Sequence, residues 1–529
     1  MEKEEKGVGK FAFATEQEKG CKQVEKSAPV GYFKDAFLRF CKNKASIFAL
    51  IIILLIVLYA LFLPLFTTRY TSDFMDTRYA KKTARNLSLK RFGILDGGEN
   101  VELNERALIN LLAIGMGASD KAEDYTIGVL ESQTGRAGNG FVERKSGENE
   151  YQPVIKIKSE EKKGGKSVFN VRVDSYLKVG FTYMDIEREE YQTIVNWQQE
   201  TGVPVLYPMV AVNEYTFDPA DPNFWYKTDR RGDPVIVKDG GVERVKYGAD
   251  FLLEDNYLRD EQGRKVYFSY AGGGNVETAQ YRVRVLYYNY YRYKNGFEPE
   301  HLFGTDSQGY DLSLRLAEGV RLSLMVAFTV SAINLVLGTI YGAIEGYYGG
   351  GVDLAMERVA DILSGIPFIV VATLFQIHLA DRVGTVVSLL FAFVLTGWIG
   401  TARRVRTQFY RFKNQEYVFA ARTLGATDAR IIWKHIFPNA VGTIITASVF
   451  VVPGVIFQES MLSFLGIVNL GGAGGTSLGT LLSEASGAWV NYPHLMVFPA
   501  LFLSLLMVSF NLFGNGLRDA FNPTLRGTD

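Results

Sequence analysis

Few residues in this chain are spaced for bond-making chemistry. The Gly-Lys-Ser triplet at 165–167 comes nearest to a phosphate loop, but the first glycine of G-x-x-x-x-G-K-[ST] would fall on Glu160, so no nucleotide site is read there. His301, His378, His435 and His494 lack ligand-like spacing, and Cys21 and Cys41 are separated by a charged stretch. The expectation is no metal site, no disulfide framework and no cofactor. Paired carboxylates, a nucleophile elbow and a metalloprotease pattern are equally missing, which leaves no catalytic residue to name. One acid stands out: Glu459 lies inside an apolar run that begins near Ala440. A carboxylate facing lipid is costly, so Glu459 faces a translocation path, meets an interhelical partner, or marks the end of its helix near the interface.

The elements that would position such residues are membrane spans. Ala45–Phe66 has no charge and is long enough at about 1.5 Å per residue to cross a hydrocarbon core of about 30 Å. No small-residue cleavage pattern follows it, so it is expected to stay as an anchor. Further charge-poor runs, Leu322–Ile344, Ile362–Ala380, Val383–Ala402, Ala440–Gln458 and Pro493–Leu517, bring the expectation to six. Lys34, Arg39, Lys42 and Lys44 precede the first span, and Arg403, Arg404, Arg406, Arg411, Lys413, Arg422, Arg430 and Lys434 fill the region between the fourth and fifth. The fifth-to-sixth connection, Gly466–Tyr492, has no Lys or Arg, so both termini are expected in the cytoplasm. The segment 1–44 then reads as a cytoplasmic tail. Over the whole chain, Lys plus Arg and Asp plus Glu both number 57, which gives nucleic acid no electrostatic purchase.

That orientation puts 67–300 outside the cytoplasm, enough for a domain with its own core. An amphipathic helix is expected around Glu102–Ile114, and Val168–Tyr183 and Tyr281–Tyr293 read as β structure in an α+β insertion. Tyr287, Tyr288, Tyr290, Tyr291 and Tyr293 are expected to pack a sheet core or edge, with a ligand or partner surface as the sharper alternative. Residues 301–529 form the remaining core. On its second span, Gly338, Gly342 and Gly346 recur every fourth residue on one helix face, permitting close helix approach in lipid.

The basic region 403–439 is the most informative. Glu416–Leu424 favours helix, Gly425 breaks it, and Thr427 is placed to cap a second short helix through Asp428–Ile436 ahead of Pro438. Ala420 and Ala421 leave a smooth face for a partner, with an ordinary basic loop at lipid headgroups as the competing account. Ala420, Ala421, Gly425, Ala426 and Pro438 at this spacing resemble the cytoplasmic loop of permease subunits of ATP-binding-cassette importers, although Phe419 and Phe437 replace the usual acid and Leu.

His301–Leu316, Glu345–Asp361, Glu416–Ala426 and Phe510–Pro523 together resemble the C-type permease of dipeptide and oligopeptide importers, with Leu302 and Tyr310 departing from the entry motif. The resemblance implies the type I importer permease fold: six transmembrane helices, here with a large α+β extracytoplasmic domain inserted between the first two. It also implies a peptide-uptake subunit of the cell inner membrane, working with a second permease, two cytoplasmic ATPases and an extracytoplasmic substrate-binding protein. In that frame Glu416 and the alanines belong to the ATPase-coupling loop. Nickel or a nickel chelate is the alternative cargo. A membrane-anchored sensor with an outer ligand domain is the alternative of another class.

Overall fold

Asn43 divides α1 (Tyr32–Lys42) from α2 (Lys44–Phe66), its side chain accepting the Ser46 N–H at 3.3 Å. The computed structural model describes residues 32–67, 69–118, 151–163, 166–209, 236–239, 242–245, 257–271, 279–471 and 475–521. Among them, five helices are long and apolar enough to cross a membrane: Lys44–Phe66, Leu312–Tyr348, Thr385–Phe412, Asp428–Phe464 and His494–Phe521. The expected span at Ile362–Ala380 is broken instead. Gly350–Ser364 (α7) and Phe368–Val383 (α8) meet at a 72° bend, because Pro367 cannot donate into the preceding turn and forces Ile366 away from helical backbone.

After α2 the chain builds two antiparallel sheets. In the first, β1 (Gly98–Asn104) and β2 (Val154–Lys163) flank β3 (Lys166–Asp174). Phe169, Val171 and Val173 alternate inward along β3, the period a half-buried strand demands. The helix expected at Glu102–Ile114 starts later, as α3 (Glu105–Ala118), because Asn104 ends β1 and its side chain accepts the Ala107 N–H at 2.8 Å. In the second sheet β4 (Phe181–Ile186) and β5 (Leu206–Tyr207) pair with the last strand of this region, and α4 (Arg188–Thr201) connects them. Two short paired strands, β6 (Ile236–Asp239) and β7 (Val242–Val245), stand apart, and β8 (Phe268–Ala271) joins that last strand, β9 (Gln280–Leu286). The tyrosine run does not continue β9. It turns into α5 (Tyr287–Asn295), since Tyr287, Tyr288, Tyr290 and Tyr291 are all buried and that spacing suits one helix face, not alternation.

Where this region begins and ends, its two connecting segments are laced together. Lys81 N–H donates to Asp306 O at 2.8 Å, Arg85 N–H to His301 O at 2.8 Å, and Thr305 N–H to Lys82 O at 3.0 Å. The His301–Leu316 motif is therefore a structural joint. Asp306 Oδ1 accepts the N–H groups of Gln308, Gly309 and Tyr310, and Gly309, at φ +100°, leaves room only for the Asp76 carbonyl beside it. Asp311 then caps α6 (Leu312–Tyr348) by accepting Leu314 N–H at 2.9 Å, while its second oxygen meets His301 Nδ1 at 2.8 Å.

The remaining helices are α9 (Thr385–Gly397), α10 (Ile399–Phe412), α11 (Glu416–Thr423), α12 (Phe437–Val449), α13 (Val451–Phe464), α14 (Leu478–Ala485) and α15 (His494–Phe521). Their core, with α2 and α6, shares no residue with the aromatic core of the sheet region.

Burial alone would raise the Asp311 carboxyl, but the His301, Ser313 and Leu314 hydrogen bonds overcome it and hold it below the usual range. A depressed folded value gives stability that is present above about pH 4 and lost as pH falls through the folded value. Asp311→Asn, which keeps an acceptor for Leu314, should flatten the acid limb of a thermal-stability profile and cost about 1 kcal/mol at neutral pH. An acid limb identical to the parent's would refute this role for the carboxylate.

Candidate functional site

The predicted glycine stripe is a helix seam. An added Cβ at Gly338 would lie 2.7 Å from both the Trp398 carbonyl oxygen and Thr401 Cβ, and at Gly346 2.7 Å from Phe409 Cβ. At Gly342 it would run into the Ala402 carbonyl. Only glycine lets α6 and α10 pack backbone to backbone, and this pair makes the most extensive helix contact among the described residues. At about 1.5 Å per residue α6 is about 55 Å long. Its C-terminal end thus reaches well past a hydrocarbon core, into the region where α10 ends.

There the chain forms the predicted helical hairpin, with changed boundaries. Arg403, Arg404, Arg406 and Arg411 lie on α10 and not in a loop. α11 closes with two bonds, Gly425 N–H to Arg422 O at 3.0 Å and Ala426 N–H to Ala421 O at 3.1 Å, with Gly425 at φ +81°. This is the left-handed stop that glycine makes without strain. Thr427 stands at the next cap position, but its side chain makes no capping bond. Pro438 does not end the following helix either: the chain runs from Asp428–Arg430 through a wide π turn, Ile431–Ile436, into α12, where Pro438 occupies the first turn. Phe437 N–H bonds back to Ile432 O, and Pro438 follows in the first turn of α12, where a missing N–H costs least.

The hairpin is anchored on one side and bare on the other. Val418, Ile431, Ile432 and Ile436 are buried with Ala343, Tyr347, Val405 and Phe409 in one apolar cluster, and Ala421 is also buried. Glu416, Ala420, Gly425 and Pro438 are exposed, as are Phe419, Trp433 and Leu424, the last 88% exposed. Tyr347, on the last turn of α6, supplies the polar anchor. Its hydroxyl donates to Asp428 Oδ1 at 2.6 Å and accepts from Arg422 Nη2 at 3.3 Å, tying both arms of the hairpin to the seam helix.

Sequence reasoning missed Tyr347, and it missed the ion network behind it. Arg406 grips Asp353 with two nitrogens at 2.5 and 2.9 Å and lies 3.5 Å from Glu345 and 3.6 Å from Glu357. Arg403 binds Glu357 at 3.0 Å and Asp361 at 2.7 Å. A signal was present, since Asp353, Glu357 and Asp361 recur every fourth residue and Arg403 and Arg406 sit three apart, both single-face helical spacings.

Glu459 lies in the interior of α13, so it does not end a helix, and it is 0% exposed. Ser323 of α6 donates to it at 2.8 Å and Ser463 of its own helix at 3.1 Å. The carboxylate meets an interhelical partner, which meets the requirement that a buried acid be hydrogen-bonded.

Gly342→Val would overpack the seam and should lower the unfolding free energy by at least about 2 kcal/mol. Gly400→Ala, on α10 with nothing within 4 Å of a new Cβ, serves as the neutral control in the same melting assay. Equal melting temperatures for the two variants would rule the close approach out.

Comparison with known proteins adds the family. A model of the N-terminal transmembrane domain of oligopeptide transport permease C matches residues 31–86, and a model of the binding-protein-dependent transport system inner membrane component matches residues 334–527. The oligopeptide transport system permease protein OppC of Bacillus subtilis (strain 168) is 42% identical over 227 residues, 43% of this chain and 73% of the relative. The dipeptide transport system permease protein DppC of the same organism is 41% identical over 233 residues, 43% of this chain and 70% of the relative. OppC of Haemophilus influenzae is 43% identical over 227 residues, 43% of this chain and 71% of the relative. The chain belongs to the inner-membrane permease components of binding-protein-dependent transport systems, in the branch of the C-type oligopeptide and dipeptide permeases.

Proposed function

We propose that this chain is one permease half of an ATP-driven importer that takes up short peptides. The hairpin Glu416–Ile436 receives the motion of a cytoplasmic ATPase. The observation that carries this reading is the hairpin itself: an exposed tip with apolar side chains, its buried face locked to α6 and α10. Phe419, Leu424 and Trp433 together leave apolar surface exposed on this hairpin, the kind of surface a partner covers. The complete assembly contains a second permease, two ATPases and an extracytoplasmic binding protein. Six spans result when the bent α7–α8 pair counts as one, both termini are cytoplasmic, and residues 67–300 lie outside.

Mechanically, the chain catalyses nothing; it transmits. Closure of the ATPases pushes the hairpin, Tyr347 and the apolar cluster pass the displacement to α6, and the glycine seam makes α10 follow as part of the same body. Peptide is released to the cytoplasm when the bundle opens inward.

Purification of the tagged chain from its native membrane in mild detergent, followed by quantitative mass spectrometry, should recover the second permease and ATPase subunits. An intact chain that repeatedly came alone after crosslinking would sink the proposal. Tyr347→Phe keeps the ring in its cluster and removes the hydroxyl. In reconstituted vesicles it should cut peptide uptake per ATP hydrolysed by about tenfold, the worth of a charge-assisted hydrogen bond. Uptake and hydrolysis falling in proportion would assign Tyr347 a structural role only.

A further inference from the structure

A cavity of about 240 Å³ opens between the segment Phe74–Arg78 and α5. Phe74, Met75, Met184, Tyr290 and Tyr291 give it an apolar and aromatic wall. The polar groups in that wall are already committed. Asp76 accepts Arg78 N–H at 3.0 Å and the Tyr287 hydroxyl at 2.6 Å; Tyr290 donates to Glu190 at 3.0 Å, and the Tyr291 hydroxyl lies 3.5 Å from that of Tyr70. Asp76 brings one negative charge to this wall, held by neutral donors, and Arg78 and Lys294 bring two positive charges. Arg78 rests over the Tyr287 ring at 5.0 Å with one nitrogen on Thr182 Oγ1 at 2.9 Å, and its guanidinium makes no ion pair among the described residues. Lys294, also exposed, has no ion-pair partner among the described residues. Two cations against one acid, beside an apolar wall, leave a net positive charge that suits a carboxylate carried on an apolar group.

Size and place narrow the ligand. The volume holds several waters, at about 30 Å³ each, but falls below the roughly 300 Å³ at which pockets for drug-sized ligands begin, so it admits the end of a chain and not a whole oligopeptide. The cavity is also fixed to the entrance of the helix core: Met75 bridges to Tyr310, and Asp76 N–H donates to Gly309 O at 3.3 Å, two residues before α6 is capped. We infer that the cavity binds the C-terminal residue of a short peptide. The apolar side chain enters between Met75, Met184 and Tyr290, and the free carboxylate lies on Arg78 and Lys294. The choice of a peptide as carrier of the carboxylate rests on the importer reading above.

The test uses the full chain in lipid nanodiscs, without ATPases, titrated calorimetrically with N-acetyl-Ala-Phe and with its C-terminal amide. The acid should bind at least about tenfold more tightly, the worth of charge-assisted bonds that the amide cannot make. The double variant Arg78→Gln, Lys294→Gln should lose that preference while melting as the parent does. Equal binding of acid and amide, no binding of the acid, or an unchanged preference in the double variant overturns the inference. A chain that selects the acid yet never associates with ATPases would uphold the cavity and defeat the importer reading. An active importer whose chain shows no preference would do the reverse.

Discussion

The close approach of α6 and α10 is the constraint on which the described helix core depends. In lipid, apolar transfer does not drive helices together, so the association rests on van der Waals contact, and that contact is available only where side chains leave the backbones free to meet. Gly338, Gly342 and Gly346 do this over two turns against Thr401, Ala402, Val405 and Phe409. From the seam α6 runs to Tyr348 and α10 to Phe412, just before the hairpin. A displacement at the hairpin therefore cannot be absorbed by sliding within the pair. Bodies packed this tightly move as units or switch between discrete arrangements.

Charge finishes what packing begins. α7 makes little apolar contact with α10 and is held to it by Asp353, Glu357 and Asp361 on one helix and Arg403 and Arg406 on the other. Isolated exposed pairs contribute little, but here Arg406 is shared among Asp353, Glu357 and the buried Glu345, and its guanidinium fork satisfies Asp353 at both oxygens. Removing the arginine would leave Glu345 buried without its cation, which is far costlier than the network's net contribution. The bend at Pro367 is thus fixed at its α7 arm, while α8 packs mainly on α9.

What could be read from the sequence was whatever had a local period. Charge-free length announced five of the helices, a repeat of four announced the seam, and Ala420, Ala421 and Gly425 announced a hairpin whose glycine proved to be left-handed. The errors came where a single residue was given more authority than its surroundings. Pro438 was expected to stop a helix, yet it lies in the first turn of α12, where proline is tolerated. The tyrosine run was expected in a sheet because aromatic residues favour strands, but burial at Tyr287, Tyr288, Tyr290 and Tyr291 selected a helix. Tyr347 and the Arg406 network were missed for a different reason: the spacing of the acids and arginines marked helix faces, but their partners lie 42 to 81 residues away, and only the fold chooses which face meets which.

The large region between α2 and α6 also follows from this organisation. Its two connecting segments, near Lys81–Arg85 and His301–Asp306, are hydrogen-bonded to each other, so the chain leaves and re-enters the helix core at one place. An insertion with adjacent ends costs little in loop closure, which grows only logarithmically with length. The two apolar cores share no residue, so the sheets can fold on their own tyrosines and valines without repacking the helices. One link between them is the capped joint at Asp311, where one carboxylate starts α6 and, through His301, holds the end of the insertion. A ligand or partner that shifts the sheet region can act on the helices through that joint, because α6 begins at the residue that closes it.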